Sequence, residues 1–145
     1  MTETNISELK TGLRVATHRI PGCETATIGL WVAAGSVYDS ILSPGVSHFL
    51  EHLAFKGSVN WPSQRRLELA VERAGAQFHA FTSREQTCFF SRVQANGAID
   101  SLGILADLAC RPLLAPAAVE AERAVIIREM LEVSGQPEEV VYDAL

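Results

Sequence analysis

The sequence is poor in cysteine and contains no pattern typical of a disulfide-linked or thiolate-metal protein. Its 145 residues include three cysteines, Cys23, Cys88 and Cys110, an odd number without CxxC spacing. Phe89 adjoins Cys88, and Ala109 adjoins Cys110. This pattern predicts three reduced, buried thiols and a reducing compartment.

Long apolar runs and excess positive charge are also absent. Gly, Ser, Arg or Glu interrupts every apolar stretch before it reaches the ~18 residues that a membrane span needs. Twelve Lys and Arg against 17 Asp and Glu give a net charge of −5. This balance argues against a nucleic-acid partner bound through its phosphates and favours a basic partner. The first eight residues match neither a secretion signal nor an arginine-rich transit peptide.

What remains is the composition of one globular domain, with 48% hydrophobic and 20% charged residues. Its order of strands and helices predicts an α+β fold, a mainly antiparallel sheet packed with helices, in a single domain over 1–145. We expect strands 13–16 and 25–34 to pair with each other. The chain stops inside a helical pattern, so we expect it to be part of a longer polypeptide. Periodicity and turn residues predict strands at 13–16, 25–34, 78–82 and 87–91, and helices at 46–55, 63–74, 98–110, 115–133 and 138–145.

The segment His48-Phe49-Leu50-Glu51-His52 carries the chemistry of greatest interest. Two histidines four residues apart lie on one face of a helix, and each can offer a ring nitrogen to a metal. Glu51 lies within about 100° of both on the helical wheel, so it can reach a water at the metal without binding the metal itself. H-x-x-E-H is the inverted zinc-peptidase signature. The alternative is an exposed helix face with two solvated histidines, which apolar Phe49 and Leu53 argue against.

A catalytic zinc needs a third protein ligand, and the helix predicted over 115–133 offers candidates. Glu122 and Glu129 are seven residues apart and therefore lie on one stripe of that helix, flanked by small and apolar residues. Carboxylates on an apolar stripe need a partner to stay ionised, such as a metal or a metal-bound histidine. The alternative is a pair of surface glutamates in contact with Arg123 or Arg128.

Four segments carry a resemblance to a known family: 29–36 (GLWVAAGS), 47–57 (SHFLEHLAFKG), 80–85 (AFTSRE) and 122–130 (ERAVIIREM). With them the sequence resembles the metallopeptidases of the pitrilysin/insulysin type, most closely their processing-peptidase branch. The resemblance implies that His48, His52 and Glu129 bind Zn²⁺, that Glu51 is the general base, and that Glu122 supports the site. The reaction implied is metal-assisted hydrolysis of an amide, without a Ser or Cys nucleophile.

The resemblance also implies where a peptide substrate binds. The strand around His79, Ala80 and Phe81 corresponds to an edge that accepts an extended peptide through backbone hydrogen bonds. Processing peptidases have Asn and Tyr where this sequence has His79 and Phe81. Glu139 and Asp143 resemble an acidic pair that receives an arginine just before the cleaved bond. The alternatives are a strand histidine without a substrate role and a solvated acidic helix face.

The family's working unit is larger than this chain. The resemblance therefore implies a second subunit or a further C-terminal half, a basic presequence as substrate, and the mitochondrial matrix, with the bacterial cytoplasm as the alternative location. Some relatives are structural core subunits of a respiratory bc1-type complex, and such a structural role is the alternative function for this chain. A further alternative is a fragment that binds metal or peptide without turnover.

Overall fold

A computed structural model describes residues 2–40 and 43–134. The chain is α+β, with antiparallel strands packed against helices, as predicted. Each helix and strand predicted up to position 133 is present within a few residues. The elements are β1 (Glu3–Glu8), β2 (Arg14–Arg19), β3 (Thr25–Val32), α1 (Val46–Ala54), α2 (Gln64–Arg73), β4 (Ala76–Thr82), β5 (Thr87–Gln94), α3 (Ala98–Cys110) and α4 (Pro116–Ser134).

The strands form two antiparallel sheets, and their pairing corrects one prediction. β1 and β2 make a two-stranded sheet, whereas β3, β5 and β4 make a three-stranded sheet with β5 in the centre. The predicted pairing of strands 13–16 and 25–34 is therefore wrong. β2 pairs instead with β1, which the sequence analysis missed because Ile6 is its one apolar residue. β3 pairs with β5, more than 50 residues further along the chain.

The core lies between the three-stranded sheet and the helices. Its centre is α3, whose Leu105 and Leu108 are completely buried. Phe89 of β5, Leu67 of α2 and Ala54 of α1 complete the same cluster. Burial of each large apolar side chain stabilises the fold by about 1.5–3 kcal/mol. The core thus fixes α1 against the sheet.

Helix α1 begins at a turn that its sequence specifies. Gly45 has φ +81°, a left-handed conformation that glycine adopts without strain. The carboxylate of Asp39 then accepts hydrogen bonds from the Ser47 backbone N–H at 3.1 Å and from its hydroxyl at 2.6 Å. An acceptor at the first turn satisfies an otherwise unpaired helix N–H group and complements the helix dipole. α1 packs against α4 on one side and β4 on the other.

The end of β4 is anchored to the loop after β3. Ser36 N–H donates to the Ser83 carbonyl at 3.1 Å, and Val37 N–H donates to the Arg84 carbonyl at 2.9 Å. A side chain on Gly35 would lie within 2.3 Å of the Ser83 oxygen, so only glycine fits this close approach. The contact fixes the turn that follows Thr82.

All three cysteines are free, but the prediction that they are all buried is wrong. Cys88 lies in the core, whereas Cys23 and Cys110 are exposed. Burial raises the pKa of the Cys88 thiol. Within the part of the chain that the structure describes, no helix is both long and apolar enough to cross a membrane. The helix predicted over 138–145 lies outside the described residues.

Candidate metal centre

Three side chains converge between α1 and α4. The Nε2 atoms of His48 and His52 are 3.2 Å apart. Glu129 Oε2 lies 3.5 Å from His52 Nε2 and 3.8 Å from His48 Nε2. Tetrahedral zinc with ligands at about 2.0–2.1 Å separates neighbouring ligand atoms by roughly 3.3–3.5 Å. The three atoms therefore fit a zinc ion with small side-chain adjustments.

The position of this group suits a catalytic metal better than a structural one. The side chains of His48 and Glu129 are each 40% exposed, and that of His52 is 23% exposed. Three protein ligands at the surface leave a fourth position open to water or substrate, as catalytic zinc requires. Over residues 2–40 and 43–134, this is the one group of three such side chains with the spacing for a metal.

Helix α4 presents its carboxylates on the face predicted from the sequence. Ile126 is buried, and Val125 and Ala118 are partly buried, so this stripe packs inward. Glu122 and Glu129 lie on the same stripe two turns apart, and both reach His52. Arg123 is directed elsewhere and pairs with Glu120 at 3.1 Å. The alternative of two surface glutamates is wrong for Glu122, which is 7% exposed.

Glu122 connects His52 to a residue that the sequence analysis missed. Its Oε2 lies 3.1 Å from His52 Nδ1, and its Oε1 lies 2.5 Å from Lys56 Nζ. Burial raises the pKa of Glu122, but the hydrogen bonds from Lys56 and His52 outweigh it, and the net pKa lies below its usual range. An ionised Glu122 can accept a proton from His52 Nδ1, and the tautomer that carries its proton there leaves Nε2 free to bind a metal. The available signal was that Lys56 is four residues after His52.

Glu51, on the same helix α1, contacts β4. Thr82 Oγ1 donates to Glu51 Oε2 at 2.5 Å. Thr82 also lies 3.3 Å from the Thr87 hydroxyl, which donates to the Ala34 carbonyl at 2.8 Å. The carboxylate of Glu51 is thus hydrogen-bonded to the end of the sheet. The sequence analysis did not predict the hydrogen bond between Thr82 and Glu51.

β4 has one free edge among the described residues, since it pairs with β5 alone. Ala80 packs against the core, on the face that Thr82 shares. His79 and Phe81 are on the other face, where their rings lie 5.2 Å and 6.4 Å from that of Phe90. Their substrate role stays a prediction. Glu139 and Asp143 lie outside the described residues.

Residues 14–145 match the family described as Insulinase (Peptidase family M16). The chain belongs to this metallopeptidase family. The resemblance found in the sequence is confirmed, and the M16 assignment covers both helices of the candidate metal centre.

Individual relatives agree with the family. The chain is 45% identical over 143 residues to the mitochondrial-processing peptidase subunit beta of Rattus norvegicus, which covers 99% of this chain and 29% of the relative. It is 41% identical to the same subunit of Blastocladiella emersonii, over 99% of this chain and 30% of that protein. The crystal structure of pitrilysin superposes with a TM-score of 0.79 and 26% identity, over 89% of this chain and 14% of pitrilysin. The chain thus spans about 30% of the length of these curated relatives.

Proposed function

We propose that this chain is the metal-bearing part of a zinc endopeptidase that hydrolyses extended, basic peptides such as organelle-targeting presequences. The observation that carries the proposal is the convergence of ligand atoms from His48, His52 and Glu129, with Glu51 on the same helix as the two histidines. In this proposal His48, His52 and Glu129 hold the zinc. Bound zinc supplies Lewis-acid chemistry, polarising a peptide carbonyl and making water more acidic.

Residues of the chain carry out the proton transfers and position the reacting groups. Glu51 takes a proton from the attacking water and later gives it to the leaving amine. The hydrogen bond from Thr82 orients its carboxylate for both transfers. Glu122 fixes the ring of His52 through Nδ1. No serine or cysteine nucleophile takes part.

The free edge of β4 supports the binding of an extended peptide. Its unpaired backbone groups can form a further strand with substrates of varied sequence. The edge ends at Thr82, which contacts Glu51, so a peptide along Ala80 leads toward the general base. We propose that His79 and Phe81 contact substrate side chains, and that Glu139 and Asp143 receive an arginine. The net charge of −5 favours such a basic peptide.

The relatives support a proposal on partner and location. Because the chain spans about 30% of the length of proteins named as a beta subunit, we propose that a second subunit or a further C-terminal half completes the peptidase. The same names favour the mitochondrial matrix over the bacterial cytoplasm. The complete set of ligands and Glu51 favours catalysis over a purely structural role in a bc1-type complex.

The proposal is tested by separating metal binding from hydrolysis in the complete protein, together with any subunit that co-purifies with it. Elemental analysis should find about one zinc per chain, and His52→Ala should remove most of it. Glu51→Gln should keep the zinc and lose about 10²–10⁴-fold in turnover, because an amide cannot accept the water proton. Glu120→Gln, an exposed glutamate on α4, is the matched control and should change neither. Unchanged zinc in His52→Ala, or normal turnover in folded, zinc-loaded Glu51→Gln, would contradict it.

A further inference from the structure

We propose that Lys56 is a positioning residue of the metal centre, which holds Glu122 so that His52 keeps the tautomer able to bind a metal. The inference rests on the proposed zinc function and extends it by one residue outside the ligand set. The contact that carries it is the bridge formed by Glu122, with one carboxylate oxygen on Lys56 and the other on His52.

The backbone just beyond α1 brings Lys56 to this position. The helix ends at Phe55, whose N–H bonds to the His52 carbonyl, and the Lys56 N–H bonds to the Leu53 carbonyl at 3.0 Å. Because of this turn, Lys56 follows shortly after α1, and its side chain lies on the same side of the helix as His52. Its side chain is 28% exposed, so the ammonium lies partly under the surface, where Glu122 meets it.

Charge explains why the bridge needs a cation. The side chain of Glu122 is 10% exposed, and His52 contacts it through one ring nitrogen only, Nδ1. A carboxylate this deeply placed is stable when its second oxygen also has a charged partner. Without Lys56 the carboxylate loses that partner and is free to turn away from His52. His52 would then lose the acceptor that keeps its proton on Nδ1.

The tautomer matters because the ligand atom lies on the other side of the ring. His52 Nε2 faces His48 and Glu129, and it can bind a metal only when it carries no proton. A hydrogen-bond acceptor at Nδ1 fixes that form and orients the ring. Loss of such an outer contact typically weakens metal binding by about 10–100-fold.

The sequence offers a matched control, since Lys10 is its only other lysine. Lys10 is exposed in the turn between β1 and β2, in the two-stranded sheet and outside α1 and α4. Lys10→Met therefore makes the same change of charge and shape away from the site. Lys56→Arg keeps the charge and the N–H donors, whereas Lys56→Met keeps the apolar stem and removes both.

The experiment measures zinc affinity by competition with a chelating dye, in the complete protein and its variants. We expect Lys56→Met to weaken zinc binding about 10–100-fold, Lys56→Arg to retain most of the affinity, and Lys10→Met to match wild type. Wild-type affinity in folded Lys56→Met, or an equal loss in Lys10→Met, would overturn the proposal.

A second measurement uses no assay of activity and no metal. In metal-free protein with ¹⁵N-labelled histidine, the nitrogen shifts of the four histidines report their tautomers. His52 should carry its proton on Nδ1 in wild type and Lys10→Met, and should become a mixture in Lys56→Met. An Nε2–H form of His52 in wild type overturns the proposal even if Lys56→Met does not fold. Failure of wild type to bind zinc would instead contradict the proposed function, while the tautomer result still decides the role of Lys56.

Discussion

Removal of the hydroxyl of Thr82 should slow hydrolysis without releasing the metal. The hydroxyl donates to Glu51 Oε2 at 2.5 Å, the one hydrogen bond of that carboxylate within residues 2–40 and 43–134. Valine has nearly the same shape and suits a strand, so Thr82→Val removes the donor with little change in packing. A hydrogen bond to a charged group contributes about 1.5–3 kcal/mol. Because Glu51 is only partly buried, water can replace the donor but cannot fix the orientation of the carboxylate, and we expect the barrier to hydrolysis to rise by about 1.4 kcal/mol, which is about tenfold in kcat.

The assay is cleavage of a fluorogenic peptide by the complete protein at saturating substrate. KM should change little, since the free edge of β4 is intact, and zinc content should stay at the wild-type level. Thr27→Val provides the control, because Thr27 is an exposed residue of β3, an edge strand separated from β4 by β5. A kcat within twofold of wild type in folded, zinc-loaded Thr82→Val would refute the idea that Thr82 orients Glu51.

Two further predictions concern acid stability and substrate choice. Asp107 is almost fully buried and accepts the Asn60 N–H at 3.0 Å. Burial raises the pKa of Asp107, but its hydrogen bonds and the charge of Arg111 together lower it by more. The net pKa is therefore below the usual value. The contribution of Asp107 to the free energy of unfolding is therefore present at neutral pH and lost as pH falls below about 4. Urea unfolding of metal-free Asp107→Asn should show a free energy of unfolding about 1–3 kcal/mol below wild type at pH 7, and this difference should shrink in acid. A deficit independent of pH would contradict this. Reversal of Glu139 and Asp143 to Lys should weaken cleavage of arginine-bearing peptides more than of matched alanine peptides, and less so in high salt; equal cleavage of both peptides by wild type would exclude this role.

Local patterns in the sequence were sufficient for most of the elements. The helices were found because apolar periodicity and end signals lie within a few residues of each other, and α3 matches its predicted bounds of 98–110. β1 was missed because its alternating residues are polar on both faces and mark no buried side. The partner of β2 was wrong because pairing depends on which strands meet across the fold, and proximity along the chain favoured β3 instead.

The candidate site could likewise be predicted from the sequence only in part. The spacing of His48, Glu51 and His52 lies within one helix, so their shared placement could be predicted from geometry alone. Glu129 needed the apolar stripe of a second helix together with the family resemblance. The contacts that Lys56 makes with Glu122 and that Thr82 makes with Glu51 join segments 66 and 31 residues apart. No local pattern in the sequence specifies such contacts, because packing of the core decides them.

The arrangement explains how one short helix can supply groups with opposite requirements. A metal-binding histidine must present a free ring nitrogen, whereas a general base must keep an ionised carboxylate beside the metal without binding it. In the proposed function α1 serves both needs, because its histidines contact α4 and its Glu51 contacts β4. α4 contributes Glu122 and Glu129 to the histidines, while β4 contributes Thr82 to Glu51. The two sets of contacts are separate, so a change on the α4 side should alter metal affinity first, and a change on the β4 side should alter turnover first. Lys56→Met and Thr82→Val therefore test the contacts of the site with α4 and with β4, respectively. Because the two positions share no partner, their effects on turnover at saturating zinc should combine additively in the double variant.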